Sequence, residues 1–129
     1  MTNLRENVRR LAPPVREPRI DLDVLAELAE ELGPRAGAEA LEQRLIAATE
    51  RMVAIERALE TEDWTRAARA ARELAEVAGS IGLTPVATQA EALRRCCERL
   101  DRIAAHAVGQ RLLRTGEAGL SCALAQGAV

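Results

Sequence analysis

Apolar residues recur along residues 41–59 at a spacing that only a helix can use. Leu41, Leu45, Ala48, Met52, Ile55 and Leu59 step by four, three, four, three and four, a rhythm that keeps one stripe of an α-helix turned toward a neighbour. A second segment repeats the pattern with Trp64, Ala67, Ala71, Leu74, Ala78 and Ile81. A third carries Val86, Leu93, Cys97, Leu100, Ala104 and Ala107 inward. No segment shows the convincing alternation of a half-buried strand. The chain is therefore restricted to packing helix on helix.

Capping residues set the expected ends. Asp21 is placed to cap a first helix over residues 22–32, with Asp23 in its first turn and Gly33-Pro34 as its stop. The second helix is expected over residues 36–60, a break at Thr61-Glu62 follows, and Asp63 caps the third. Gly82 ends that helix, Thr84 caps the fourth, and Pro85 suits its first position. The fourth helix is expected to reach Leu113, before Gly116. Short connections between four such segments predict an all-α fold, an antiparallel up-down four-helix bundle over residues 19–115. Residues 1–18 are expected to form an extra N-terminal arm with a short helix over residues 1–11, cut off by Pro13, Pro14 and Pro18. Residues 116–129 form a C-terminal tail expected to be loosely packed or disordered.

Composition narrows the function. Apolar residues make up 48% of the chain but aromatics only 1%, so the core is built from Ala, Leu, Ile and Val and offers little to stack on bases. A net charge of −2 supplies no field toward nucleic acid or anionic lipid. All 18 basic residues are arginine, which removes lysine from Schiff-base or P-loop chemistry. No apolar run approaches membrane-spanning length, and the first residues do not read as a secretory signal. Three cysteines, Cys96, Cys97 and Cys122, fit no disulfide framework and suit a reducing cytoplasm. Adjacent Cys96 and Cys97 point about 100° apart on a helix, and with a single histidine no metal site or cofactor is expected.

The stretch A-R-E-L-A-E-V-A-G-S-I-G-L over residues 71–83 resembles the signature of histidine phosphotransfer (HPt) domains. In that pattern, roughly A-H-x-L-K-G-x-A-G-x-[IL]-G, one exposed histidine on a four-helix bundle relays phosphoryl groups between receiver domains. Ala71, Leu74, Ala78, Gly79, Ser80, Ile81 and Gly82 match it. The resemblance spans residues 20–102. Residues 20–25 look like the opening helix, and Glu62-Asp63-Trp64 resembles the acidic-aromatic turn before the histidine helix. Residues 83–93 are similar to the last family element.

At the chemical positions the chain departs from the pattern. Arg72 stands at the acceptor position, Ala75 at the lysine and Glu76 at the close-approach glycine. A guanidinium stays protonated and has no lone pair with which to attack an aspartyl phosphate. Ala75 brings no charge to neutralise phosphate, and Glu76 repels it. Arg72 and Glu76, spaced i,i+4, are placed to pair with one another. The resemblance thus implies a degenerate, bacterial, cytoplasmic member of a two-component phosphorelay that is no enzyme. Its docking face comprises Arg69, Arg72, Ala75, Glu76 and Gly79, and it binds a receiver domain or a histidine kinase without accepting phosphate. No nucleic acid, membrane or metal partner is implied.

Other residues read more plainly. His106, late in the fourth helix without a following lysine, is expected to be a partly exposed surface residue rather than a relocated acceptor. Trp64 is expected to anchor or lid the bundle end. Arg66, Arg69 and Arg72 form a mixed surface with Glu73 and Glu76. Two alternatives compete: a small helical enzyme of chorismate-mutase type, holding a dianion between buried arginines, and a bundle that self-associates through an apolar face.

Overall fold

The computed structural model describes residues 20–127, so the helix expected over residues 1–11 lies outside the described residues. Those described form helices only: α1 (Leu22–Leu32), α2 (Pro34–Glu60), α3 (Trp64–Ser80), α4 (Thr84–Glu98) and α5 (Arg102–Gly127). Asp21 caps α1 by accepting a hydrogen bond from the Asp23 amide at 3.1 Å. Asp63 caps α3 through the Arg66 amide, also at 3.1 Å. Helix α2 begins two residues before its expected start because Pro34 itself occupies the first turn, where its missing N–H costs nothing. Helix α4 takes Leu83 as its cap residue, without a side-chain bond, and Thr84 is already helical. The cap expected from Thr84 is not made.

Three turns share one geometry. In each, a single left-handed residue follows the helix: Glu62 (φ 52°), Gly82 (φ 78°) and Leu100 (φ 55°). The next amide reaches five residues back, from Asp63 to the Ala58 carbonyl (2.9 Å), Leu83 to Ala78 (2.9 Å) and Asp101 to Cys96 (3.0 Å). This is the Schellman pattern, which satisfies the last carbonyls of a helix while folding the chain back. Asp63 and Asp101 then cap the following helix, Asp101 through the Ala104 amide at 3.2 Å.

The third of these turns corrects the expected fourth helix over residues 85–113. The chain breaks at Arg99-Leu100-Asp101, and α5 then runs to Gly127. Leu100, expected inside, is 70% exposed. Ala104 and Ala107 are not buried either. The stripe that α5 turns inward is Ala105, Gly109, Leu112, Gly116, Gly119 and Ala123, because the turn resets the phase. Residues 116–127 are accordingly helical, where a loose tail is expected.

Helices α2, α3, α4 and α5 pack in a ring, α2 touching both α3 and α5, α3 touching α4, and α4 touching α5, while α1 lies on α2. Contacts fix the register. Arg44 donates to the Ser80 carbonyl at 3.3 Å. Seven residues further along α2, Arg51 meets Glu73, seven residues back along α3, at 2.6 Å. A methyl group at Gly109 would overlap Leu59, and one at Gly116 would lie 2.7 Å from the Met52 thioether. So α2 runs opposite to both α3 and α5. Between the helices, Ile55, Leu74, Ile81, Leu83, Leu93 and Leu112 are fully buried among alanines, and among the described residues no charged side chain is buried. The start of α1 is tied to the α3–α4 turn by the Asp21 amide, which donates to the Gly82 carbonyl at 2.8 Å. A side chain on Gly82 would sit 2.6 Å from the Asp21 carbonyl oxygen, so both the left-handed backbone and this approach need glycine.

Two outcomes are expected in urea unfolding. Leu100→Gly relieves a left-handed side chain and removes an exposed apolar group, raising stability by about 0.5–1 kcal/mol. Gly109→Leu forces bulk against Leu59 in the α2–α5 seam and lowers stability by roughly 1–3 kcal/mol despite better helix propensity.

Candidate functional site

Helix α3 has two unlike faces. Ala67, Ala70, Ala71, Leu74 and Ala78 are buried against its neighbours. Their small side chains draw α3 close to α2 and α4 and leave its opposite face to water. On that face Arg69, Arg72, Glu76 and Gly79 are exposed and Ala75 is half-buried. Spaced by three, four and three residues, the four exposed positions form one stripe over about three turns, roughly 15 Å. The five residues of the expected docking face therefore lie together, and the Arg72 guanidinium is in solvent rather than in the core.

Two arginines of α2 border this face. Arg51 pairs with Glu73 beside the stripe, and Arg44 covers the terminal carbonyl of α3 at Ser80. Neither contact is visible in sequence spacing within α3, since both partners come from another helix. Arg66 turns back to its own cap, Asp63, at 3.4 Å. Among the described residues Arg69 and Arg72 form no ion pair. The expected Arg72–Glu76 pair is not made. Ordering two long exposed side chains costs about as much as an exposed ion pair returns, roughly 1 kcal/mol or less. The free guanidinium fork can instead donate to an acidic group on another molecule.

A second cluster sits at the α2–α3 turn. The left-handed backbone of Glu62 directs its carboxylate toward α5, where Oε1 accepts from Arg102 Nε at 2.6 Å and lies 3.2 Å from His106 Nε2. The hydrogen bond from His106, helped by Arg102, holds the Glu62 carboxyl below its usual pKa. The indole of Trp64 meets the imidazole edge-on with ring centres 5.5 Å apart. Trp64 is half-buried at the bundle end, as a lid would be, and the His106 side chain is 38% exposed. This cluster ties the turn to α5 and lies near the start of α3, away from Arg72. Its sequence signal was only the order Glu-Asp-Trp; the α5 partners lie about forty residues on.

The cysteines separate by burial. Cys97 is buried and Cys96 and Cys122 are half-buried, all three as free thiols. Burial, with the nearby Cys96 and Glu98, pushes the Cys97 thiol up to about 11, which keeps it protonated and unreactive at neutral pH. Among the described residues no group of three or more His, Cys, Asp or Glu side chains is arranged to hold a metal ion. No described helix is long and apolar enough to cross a membrane.

Searches of curated proteins and of solved structures gave no significant match. A family model described as Hpt domain matches residues 39–124, two thirds of the chain. The match begins within α2 and ends within α5, so it covers the ring of four helices and leaves out residues 20–25, the stretch that resembles the family's opening helix. Glu62, the Arg72 stripe and Gly82 all lie inside it. With the matched region coinciding with the helical ring, the chain belongs to the Hpt domain family.

Proposed function

We propose that this chain is an adaptor of a two-component phosphorelay, a four-helix up-down bundle that binds a receiver domain or a histidine kinase in the cytoplasm without carrying phosphate. Membership of the Hpt domain family implies a phosphorelay-related signalling role. The observation that carries the finer reading is Arg72, exposed at the acceptor position of a face whose frame is otherwise retained. It offers hydrogen-bond donors and charge but no nucleophilic nitrogen. Ala75 and Glu76 support the same reading, one lacking the charge that would neutralise a phosphoryl group and the other adding charge that repels it. Arg72, with Arg69 beside it, suits the acidic phosphorylation pocket of a receiver and would occupy it in place of a histidine.

The chorismate-mutase-type alternative needs arginines facing a buried cavity. Among the described residues the arginines are at the surface or half-buried. A shallow, open hollow at the α1–α2 junction is lined by Leu32, Gly33, Pro34, Arg35, Ala36 and Glu39, with a single arginine. Nothing there favours that enzyme. The exposed large apolar side chains, Leu22, Leu32, Ile46, Val53, Leu100, Ile103 and Leu124, are distributed over α1, α2, the α4–α5 turn and α5, and no observation gathers them into a self-association face.

The adaptor reading is tested by incubating the protein with phosphorylated receivers and autophosphorylated kinases from the same genome, following both binding and label. Stable binding to at least one of them, with no label on the protein, is expected, and Arg72→Glu weakens that binding on the order of tenfold or more. Label that appears on the protein and disappears in His106→Ala would overturn the non-acceptor claim. Failure to bind any receiver or kinase would overturn the adaptor claim.

A further inference from the structure

The seam between α2 and α5 carries apolar side chains that the ring of helices leaves in water. Arg44 and Arg51 of α2 reach α3, at Ser80 and Glu73. Ile46 and Val53 follow them by two residues each, about 200° further round the helix, so both turn away from α3. They are 53% and 41% exposed. On α5, His106 reaches Glu62 just past the end of α2. Leu113, Leu120 and Leu124 come after His106 by about two, four and five turns, and so share its side of α5. Leu113 and Leu120 are half-buried, and Leu124 is 58% exposed. The antiparallel register that sets Gly109 on Leu59 and Gly116 on Met52 brings Leu124 within about one turn of the level of Ile46.

Acidic groups border this seam, and the opposite charge lies before residue 20. Glu42, Glu50, Glu56 and Glu60 of α2 are exposed, against Arg57 as the one exposed arginine between them. None of these glutamates forms an ion pair among the described residues. Residues 1–19 carry Arg5, Arg9, Arg10, Arg16 and Arg19 against Glu6 and Glu17, so the net −2 of the chain divides into +3 before Ile20 and −5 from Ile20 onward. In that basic segment Leu4, Val8 and Leu11 are spaced by four and three, one apolar stripe of helical period. Leu4 and Leu11 are seven residues apart, as are Ile46 and Val53, about 10 Å in each case. The place where the segment joins the fold is fixed: Asp21 is held on Gly82, and Ser80 beside it meets Arg44 of α2. The ten residues from Leu11 to Asp21, when extended, span about 30 Å, against a helix diameter of about 10 Å. That length carries the stripe round α2 to the seam.

We propose that residues 4–11 dock as an amphipathic helix on the α2–α5 seam, with Leu4, Val8 and Leu11 covering Ile46, Val53 and Leu124, and Arg5, Arg9 and Arg10 against the glutamates of α2. Apolar burial holds the arm there and charge sets its place. A second copy of the chain is the poorer occupant, since pairing seam to seam sets the same glutamates against one another. Because the seam faces away from α3, the docked arm leaves the stripe from Arg69 to Gly79 open. The inference therefore stands apart from the adaptor reading.

The test uses the full chain with the photo-crosslinking residue p-benzoylphenylalanine in place of Val8, irradiated in dilute solution, and reads the adduct by its mass and by peptide mapping. The expected adduct has the mass of one chain and joins position 8 to residues 42–57 of α2 or residues 113–124 of α5. In the double variant Ile46→Glu, Val53→Glu, at two exposed positions, the yield of that adduct is expected to fall roughly fivefold or more. Arg72→Glu, on the other side of the bundle, is expected to leave it within about twofold. The same crosslinking residue placed instead at Val53 is expected to capture residues 1–12, which keeps the test decisive should the bulky group at position 8 displace the arm. An adduct of two chains, an adduct to another face, no adduct from either position, or a yield unchanged in the double variant overturns the inference.

Discussion

A left-handed residue placed two positions beyond a helix end is what the rest of this structure depends on. Glu62, Gly82 and Leu100 each reverse the chain within three residues, and each turn delivers its next helix already in contact with the one before. Only Gly82 adopts that backbone without a steric cost; a non-glycine residue there costs of order 1–2 kcal/mol. Glu62 adopts it while its carboxylate meets Arg102 and His106. Leu100 has no comparable contact and projects into water. From these reversals follows the register that sets Arg44 on Ser80, Arg51 on Glu73, and the glycines of α5 against Leu59 and Met52.

Packing with so few large side chains has a consequence for the surface. A core of alanine, leucine and glycine fills space only if the helices approach closely, as they do where Gly109 and Gly116 admit α2. Alanine on the buried side of α3 lets that helix sit deep between α2 and α4, and its outer face is then a narrow stripe rather than a broad surface. Residues on the stripe contribute little to holding the fold together. On the reading proposed here, Arg72 at the place of an acceptor histidine leaves the scaffold unaffected, and a family frame persists after its chemistry has gone.

Much of this was legible in the sequence, and the failures have physical causes. Helices α1, α2 and α3 were readable because caps and apolar rhythm agree: Asp21, Gly33-Pro34 and Asp63 punctuate the chain where the periodicity itself pauses. The break before α5 was not, because Leu93, Cys97, Leu100 and Ala104 continue the same rhythm across it. A leucine in left-handed conformation carries no composition signal. One clue was present: Asp101 stands after Leu100 as Asp63 stands after Glu62, and both cap the next helix. The candidate face comes from the family resemblance, and helix geometry adds only that residues spaced i,i+3,i+7 share one stripe. The arginines that border it, Arg44 and Arg51, come from α2 and depend on a register that only the folded chain reveals.

The central claim is that a docking frame for phosphoryl transfer remains while the reacting groups have been replaced. It is tested most directly by restoring those groups in the triple variant Arg72→His, Ala75→Lys, Glu76→Gly and exposing it to a phosphorylated receiver that binds the wild type. The account predicts that this variant acquires an acid-labile phosphoryl label at position 72 while the wild type remains unlabelled. A correctly folded triple variant that binds the receiver yet takes up no label would contradict it.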